Sequence, residues 1–520
     1  MPDHQSHTTV LIVGGGYAGL AASVFLSAHG VPSVLADRHP AGSVQGRARG
    51  INQRTMELYR PLGLEPALLE AARPFAADSG VARCQTLSGE WEWLFDPEPD
   101  PAAALASPSA FCMADQNTVE PLLRAAAGER GADLRLDTEV TDVSIEPDGV
   151  SAVLADTATG RGSAVRADYL IAADGHASPL RGLAGINRTG PGVTQHWVSI
   201  VIDADLGDVI TKRALFWIVL NVQLGFASFV TTATPGRWAV SVTYDPRTTS
   251  VTDFTDTRCV QIARAALGRD DIAVTVVTVA AWEQAVGVAD AYRSGRVFLA
   301  GDAAHVWPPA GAMGANSAVQ DANNLAWKLG VVHAGLAGDA LLDSYEAERR
   351  PVALALADLT VRRQAARFGG GLGDDIDDLV LTLGQRYASD AIVGEVPRAP
   401  FGPPVADRPE PGARMPHAWL TRENSSVSSH DLFTGGFVLF AGPRDAAWLD
   451  AVDQARAATG ARIDAYRVGT DLGDPEGAWP RFALPEGAAA LARPDGYVAW
   501  IGERVGPGLA AALGRLLRPH

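Results

Sequence analysis

The sequence predicts an α/β protein in three parts: a parallel-sheet domain assembled from separated stretches, a β-rich domain interleaved with it, and a further C-terminal domain. Three observations predict this. A strand, a glycine turn, a helix and a second strand open the chain at residues 10–36. Residues 198–244 and 272–285 are dense in Val, Ile, Thr and aromatic side chains, as strands require. Pro397, Pro400, Pro403, Pro404, Pro409 and Pro411 mark a linker before a tail of separate pattern. The expected division is 1–75, 105–180 and 290–396 for the first domain, and 76–104 and 181–289 for the second. Residues 397–411 form the linker and 412–520 the C-terminal domain.

Each element has a local reason. Residues 10–13 are an unbroken apolar run, a buried strand. Residues 17–29 have helical periodicity and 31–36 form the second strand, completing a βαβ unit. Residues 116–130 are helical, with Leu122 and Leu123 on the apolar face, and 134–153 and 167–173 are strand-like. Residues 214–233 are apolar over the length of a membrane span. Asn221, Gln223 and Gly225 interrupt them, and β-branched and aromatic residues dominate, so two adjacent strands are expected and no membrane span. Residues 296–300 are a buried strand, followed by helices at 317–333 and 340–368. In the tail, strands at 436–440 and 497–501 accompany a helix at 445–459.

Composition bounds the function. The chain has 520 residues, 47% hydrophobic and 20% charged, enough to bury a sizeable core. A formal charge of -17 argues against a nucleic-acid or anionic-membrane partner. The three cysteines, Cys84, Cys112 and Cys259, form no C-x-x-C pair and fit a reducing compartment. Residues 1–9 lack the basic and apolar regions of a secretory signal, so a cytoplasmic location is expected. No His, Cys or Asp cluster has metal-ligand spacing, and no metal is expected.

The first constellation is Gly14-Gly15-Gly16-Tyr17-Ala18-Gly19, a G-x-G-x-x-G between strand and helix. Gly14 permits the tight turn, Gly16 lets backbone approach a pyrophosphate, and Gly19 lets the helix pack on the sheet. The helix N-terminus offers free N–H groups to phosphate. Asp37, ending the second strand, is placed to accept both hydroxyls of an adenosine ribose. This is a Rossmann-type dinucleotide fingerprint, and NAD and FAD both fit it.

A distant segment separates them. Residues 296–301 are a strand ending in glycine, then Asp302, His305, and the run Pro308-Pro309-Ala310-Gly311-Ala312-Met313-Gly314-Ala315-Asn316 opening a long helix. Asp302 at a strand end suits a polyol such as ribityl. A helix beginning near Gly314 aims its positive end at the flavin edge where charge collects on reduction. A third strand, 169–173, ends in Asp174-Gly175, with Ser178 and Arg181 beyond. The three motifs together point to FAD.

With these motifs in order, the chain resembles the class A flavoprotein monooxygenases of the para-hydroxybenzoate hydroxylase type. Gly46-Arg47-Ala48-Arg49-Gly50-Ile51-Asn52-Gln53-Arg54 is similar to their arginine-bearing segment, and Gln116 with Glu120, Leu122 and Leu123 to their glutamine-bearing helix. The subgroup it looks most like is the bacterial aromatic polyketide hydroxylases, such as aklavinone hydroxylase. Their C-terminal domain is thioredoxin-like, and Leu491-Ala492-Arg493-Pro494-Asp495-Gly496-Tyr497 is similar to it. No cysteine follows Cys259, so that domain has no thiol redox chemistry, and packing or assembly is its expected role. Ala312 and Ala315 depart from the family's usual residues.

The resemblance implies FAD contacts from Gly14, Gly16, Ala18, Gly19, Asp37, Arg38, Arg47, Gln116, Val140, Asp174, Gly175, Asp302, Pro309, Gly314, Ala315 and Asn316. It implies NADPH or NADH as a transient reductant, O2 as co-substrate, and hydroxylation of an electron-rich polycyclic ring through a flavin C4a-hydroperoxide. No side-chain nucleophile is needed; Arg47, Pro309 and Gly311 are the candidates beside the reacting atoms. Trp217, Phe226, Phe229, Trp282, Pro309 and Ala310 are the candidate substrate contacts, from an aromatic set that includes Phe216, Trp238 and Tyr244. Ordinary core packing is the competing reading of those aromatics. His305 is expected to be structural, and the 345–351 segment to serve helix packing and charge pairing. Baeyer–Villiger oxygenation of a polycyclic ketone and a non-catalytic flavin-binding protein are alternatives, with a homodimer open as an assembly. A flavin halogenase is disfavoured, because the first lysine is Lys212 and Trp91-Glu92-Trp93 lacks the Ile-Pro that should follow.

Overall fold

The computed structural model describes residues 6–40, 48–95, 101–211, 213–309, 311–367, 376–396, 398–404, 408–477, 482 and 484–517. Its first sheet forms around the apolar strand Ser6–Val13, which lies between Gly162–Ala172 and Ser33–Ala36 and is parallel to both. Val297–Leu299 extends the sheet on the Gly162–Ala172 side, and Asp133–Arg135 on the other. The stretch 134–153 is broken into Asp133–Arg135, Thr138–Glu146 and the start of Gly149–Asp156, the last two forming a hairpin that pairs onto Gly162–Ala172. Helix Tyr17–Ala28 is buried from Tyr17 to Leu26 and packs against Gln116–Glu129 and Met313–His333. A helix apolar on every face belongs in such an interior. Met313–His333 starts four residues before the expected 317, at the glycine loop itself.

The second sheet is mostly antiparallel. Its strand order is His305–Val306, Thr275–Ala289, Arg188–Asp203, Arg237–Tyr244, Gly225–Thr231, Ala214–Asn221, Ser79–Cys84 and Trp91–Phe95. The apolar stretch 214–233 is two antiparallel strands joined at 222–224. Asn221 makes the turn, its Oδ1 accepting from Gln223 N at 3.1 Å and Leu224 N at 2.9 Å. Side chains alternate between faces. Val198, Ile200, Trp217, Val219, Phe229 and Val240 close a core against Cys259, Ile262 and Ala266 of helix Asp256–Leu267. Trp197, Ser199, Phe226, Ser241 and Trp282 fall on the opposite face by the same alternation.

In the C-terminal region Phe437–Ala441, helix Ala447–Thr459 and Ile463–Arg467 form a parallel β-α-β unit. Ala489–Ala492 and Val498–Gly502 add antiparallel, and helix Gly508–Leu517 follows. Trp327 and Leu341 of the first domain enter the same core as Leu439, Trp448 and Leu513. The Pro-rich stretch is laid along the body: Arg386 N donates to Pro400 O at 2.9 Å, Gly402 N to Gly384 O and Tyr387 N to Gly412 O, both at 2.8 Å.

All three cysteines are free and buried. Burial pushes the Cys84 and Cys112 thiols up to about 11, with Glu65 adding to the effect at Cys112, which leaves both unreactive. Among the described residues no helix is long and apolar enough to cross a membrane, and no His, Cys, Asp or Glu group is arranged to hold a metal.

Candidate active site

The three motifs meet at one edge of the parallel sheet. Ala173 N donates to Val13 O at 2.9 Å, Ala300 N to Ala172 O at 3.0 Å, and Gly14 N to Ala36 O at 2.9 Å. The glycine turn, Asp174-Gly175 and Gly301-Asp302 therefore share the carboxyl edge of the strands, where open α/β sheets bind ligands.

The glycines of the first turn divide by what surrounds them. Gly14 has φ +108°, and a Cβ there would run into the Ala173 carbonyl; one on Gly19 would run into the Gly14 carbonyl. Both are demanded by the protein's own packing. A Cβ on Gly16 would meet nothing nearer than Glu120 Oε1 at 4.0 Å. That space lies over the N-terminus of Tyr17–Ala28, which no side chain caps. Ala18 packs against Gly301, whose Cβ would lie 2.8 Å from the Ala18 methyl and 3.1 Å from that of Ala318. The first and last motifs are thereby held in contact.

Asp37 Oδ2 accepts from Gly15 N, and Oδ1 accepts from His39 N at 2.7 Å. Arg38 beside it is exposed and reaches His39. Thr138 N donates to Asp37 O at 2.8 Å, drawing in the strand that carries Val140. Gln116 opens its helix and donates to Glu120 at 2.6 Å. Asp174 spends both oxygens on its own turn, accepting from Ser178 Oγ at 2.6 Å and Leu180 N at 3.1 Å. Gly175 follows it at φ +81°. Arg181 then donates to Ala303 O at 3.0 Å, tying this turn to the last motif. Asp302 is different: it is exposed and forms no hydrogen bond or ion pair to any described residue.

His305 is buried, 2.8 Å from Asp321 Oδ2 and stacked on Trp307 at 4.4 Å, the structural role expected of it. Arg349 Nε donates to the other Asp321 oxygen at 2.7 Å. Burial alone would raise the Asp321 carboxyl, but Arg349 and His305 outweigh it and hold it below the usual range. Arg349 lies in the 345–351 segment expected to serve packing and charge pairing; its partner Asp321 went unremarked, since nothing local links positions 321 and 349.

The loop before Met313–His333 has Gly311 at φ +92° and Ala312 at φ +54°. Asn316 clamps this corner, donating to Ala312 O at 2.7 Å and Gly50 O at 3.1 Å and accepting from Asn52 N at 3.0 Å. Among the described residues no side chain caps the helix, and the buried Trp307 Nε1, which a Gly314 Cβ would approach to 3.9 Å, has no hydrogen-bond partner. Pro309 is exposed, and Gly314 and Ala315 are part-buried in the first turn. Arg47 and Ala310 lie outside the described residues. An alanine in the left-handed region costs about 1 kcal/mol that glycine does not incur. Ala312→Gly is expected to raise the urea midpoint of unfolding, by roughly that energy less the entropy glycine adds to the unfolded chain.

The β-rich sheet corrects two of the substrate candidates. Trp217 and Phe229 are fully buried on the face packed against Asp256–Leu267, so they are core side chains. Phe226 and Trp282 occupy the other face. Trp282 stacks on Trp197 with ring centres 5.3 Å apart and planes 8° from parallel, and Phe226 meets Trp197 edge-on at 5.5 Å. Trp282 Nε1 donates to Ser199 Oγ at 2.9 Å, and Ser199 pairs with Ser241. Gln284, on the same side, bonds Gln364 of helix Asp343–Arg367 at 3.0 Å. The adjacent Arg363 would lie 3.5 Å from a Gly311 Cβ. Gln284 thus reaches the helix whose Arg363 borders the 311 loop. Trp197 is the aromatic residue missed; its alternation with Ser199 was the available signal.

The edge has what an extended dinucleotide with a flavin ring needs: an open cradle at Gly16, two uncapped helix N-termini, a free carboxylate at Asp302 and an orphaned indole N–H at Trp307. The comparisons agree. Residues 7–360 match the family model described as an FAD binding domain, and residues 408–519 match the aromatic-ring hydroxylase C-terminal family. A tetracenomycin A2 monooxygenase-dioxygenase from Streptomyces glaucescens is 41% identical over 95% of this chain and 93% of its own. A 4-methyl-5-nitrocatechol 5-monooxygenase from a Burkholderia species is 38% identical over 98% and 96%. A crystal structure of aklavinone-11 hydroxylase in a ternary complex with FAD and aklavinone superposes with a TM-score of 0.89 at 33% identity, covering all of both chains. The chain belongs to the FAD-dependent aromatic-ring hydroxylases, and it is a flavoprotein monooxygenase.

Proposed function

We propose that this monooxygenase hydroxylates a polycyclic aromatic substrate of polyketide type, drawing electrons from NADH or NADPH and oxygen from O2. The observation that carries the reading is the cluster of Trp197, Trp282 and Phe226 on the sheet face away from helix Asp256–Leu267, because flat aromatic rings suit contact with fused rings. The tetracenomycin and aklavinone relatives support a polycyclic substrate by their names; the nitrocatechol relative acts on a single ring.

In this reading Gly16 and the first turn of Tyr17–Ala28 would hold the FAD pyrophosphate, and Asp37 the adenosine ribose. Asp302 would hold the ribityl chain, and the first turn of Met313–His333 would favour negative charge on the ring. Bound FAD supplies the two-electron and oxygen chemistry. The protein's own residues orient and shield. Trp282 fixes the ring plane, Ser199 holds the indole by its N–H, and the Gln284–Gln364 pair is placed to bond a keto or hydroxyl edge. Asn316 keeps the 50–52 segment against the helix and so closes the site on that side. The β-α-β and β-β-α order of the C-terminal region supports a thioredoxin-like fold for it.

The test measures NAD(P)H consumption, with mass analysis of products, across anthraquinone- and angucycline-like compounds and simple phenols. The expected result is consumption stimulated by a polycycle, with one oxygen atom added. Trp282→Ala should raise KM about tenfold with a smaller change in kcat, as for a residue that binds rather than reacts. Stimulation by phenols alone, or an unchanged KM in the variant, overturns the reading.

A further inference from the structure

Gly301 N, at the start of the turn that carries Asp302, donates to Asp321 Oδ2 at 3.3 Å, and His305 at its end bonds the same oxygen. Asp321 is in turn held by Arg349, whose Nη1 donates to Gln385 Oε1 at 2.8 Å and to Tyr387 OH at 3.0 Å. The Tyr387 ring stacks on Tyr497 with centres 4.0 Å apart and planes 23° from parallel. Tyr497 belongs to the C-terminal region, and His305, Asp321, Arg349, Gln385, Tyr387 and Tyr497 are all buried. One unbroken chain of buried polar contacts and ring stacking thus runs from the C-terminal domain to the turn at Asp302.

We propose that Asp321, Arg349 and Tyr387 are positioning residues for the 301–305 turn, and that Tyr497 makes the C-terminal domain the outer support of the flavin site. The inference rests on the reading in which Asp302 contacts FAD. The physical reason is that the buried Asp321 carboxylate beneath the exposed Asp302 bonds both Gly301 N and His305, so its place sets both ends of the turn. A buried network of charge-assisted bonds favours one geometry, because displacing Asp321 would part it from Arg349 and His305. A domain without cysteines beyond Cys259 then has a task that needs no thiol.

The experiment measures FAD dissociation constants by fluorescence titration of full-length apoprotein, together with flavin midpoint potentials and melting temperatures. Asp321→Asn is expected to weaken FAD binding about tenfold and to shift the potential, and Tyr387→Phe and Tyr497→Leu to weaken it about fivefold. Tyr387→Phe removes only a hydroxyl and keeps the stack, so it tests the network in a folded protein. Its effect should be smaller in the Asp321→Asn background than alone. Arg60→Gln is the control: Arg60 bonds Asp431 at 2.6 Å, joining the same two domains elsewhere, so it should lower the melting temperature and leave FAD affinity unchanged.

Wild-type FAD affinity and potential in Tyr387→Phe and Tyr497→Leu overturn the proposal, as does an equal loss of affinity in Arg60→Gln. Asp302→Ala separates the two levels. If it loses FAD while the support variants keep it, only the positioning role falls. If it retains FAD fully, the placement of the flavin at this turn falls, and the positioning role with it.

Discussion

Gly16→Val is expected to give a folded protein that no longer retains FAD. Gly16 has φ −81° and ψ −168°, ordinary extended backbone that valine adopts without strain. Among the described residues, its chain neighbours apart, nothing stands closer to its missing Cβ than 4.0 Å, so a Cβ fits there. The room is over the uncapped helix N-terminus, where the pyrophosphate would accept N–H bonds. Charge-assisted bonds of that kind contribute about 1.5–3 kcal/mol each, and losing two weakens binding by roughly a hundredfold or more. Gly14→Ala and Gly19→Ala should fail differently, since their added methyl groups collide with the protein's own carbonyls. Flavin absorbance after gel filtration, read beside far-UV circular dichroism, distinguishes the two classes. Gly16→Val that keeps its flavin would refute the placement of the pyrophosphate at this turn.

The same comparison explains what could be read from the sequence. The glycine turn is legible because the spacing of its glycines, between an apolar strand and a helix, is local in the sequence. The break at 221–225 is legible for the same reason, since Asn221 bonds its own following amides. Faces of a sheet are not. Trp217 sits in the unbroken apolar run 214–220, where alternation says only that neighbours point opposite ways, whereas beside Trp197 the polar Ser199 was a cue. Which way is inward depends on helix Asp256–Leu267 covering one side, a contact that no spacing in the sequence records. The start of the long helix at Met313 lies beside the Gly314 that the glycine loop pointed to; what the sequence does not show is that Ala312 leads into it from the left-handed region, where an alanine is unexpected. Least legible were the buried ions. Glu57 pairs with Arg414, 357 residues away, and Glu348 with Arg493, 145 residues away, and neither Glu57 nor Arg493 names its partner by any local pattern.

Those ions carry the second large effect. Arg493→Met is expected to destabilise the protein by about 3–5 kcal/mol, the cost of stripping one partner from a buried pair. Arg493 is wholly buried, with Nη1 and Nη2 on Glu348 at 2.5 and 3.0 Å, and Nε and Nη2 on Asp495 at 3.0 and 2.6 Å. Its loss leaves two carboxylates sharing Lys328, which lies 2.9 Å from Glu348. Lys328 is a poor substitute, because burial lowers its ammonium to about 8 despite the neighbouring Glu348. Lys328→Met should therefore cost much less than Arg493→Met, since Glu348 keeps Arg493, Asn324 at 2.7 Å and Ser389 at 2.6 Å. The pH dependence has a defined sign. Between about pH 8 and the ordinary lysine value of 10.5, the unfolded chain holds a proton that the native Lys328 has released. Stability rises with pH wherever the unfolded state binds more protons, so wild type should gain on Lys328→Met across that window. Urea denaturation of the three proteins at pH 7.5 and pH 9.5 reads both effects. Equal midpoints for wild type and Arg493→Met, or a wild-type advantage over Lys328→Met that shrinks with rising pH, would show that this cluster does not anchor the C-terminal domain as its geometry requires.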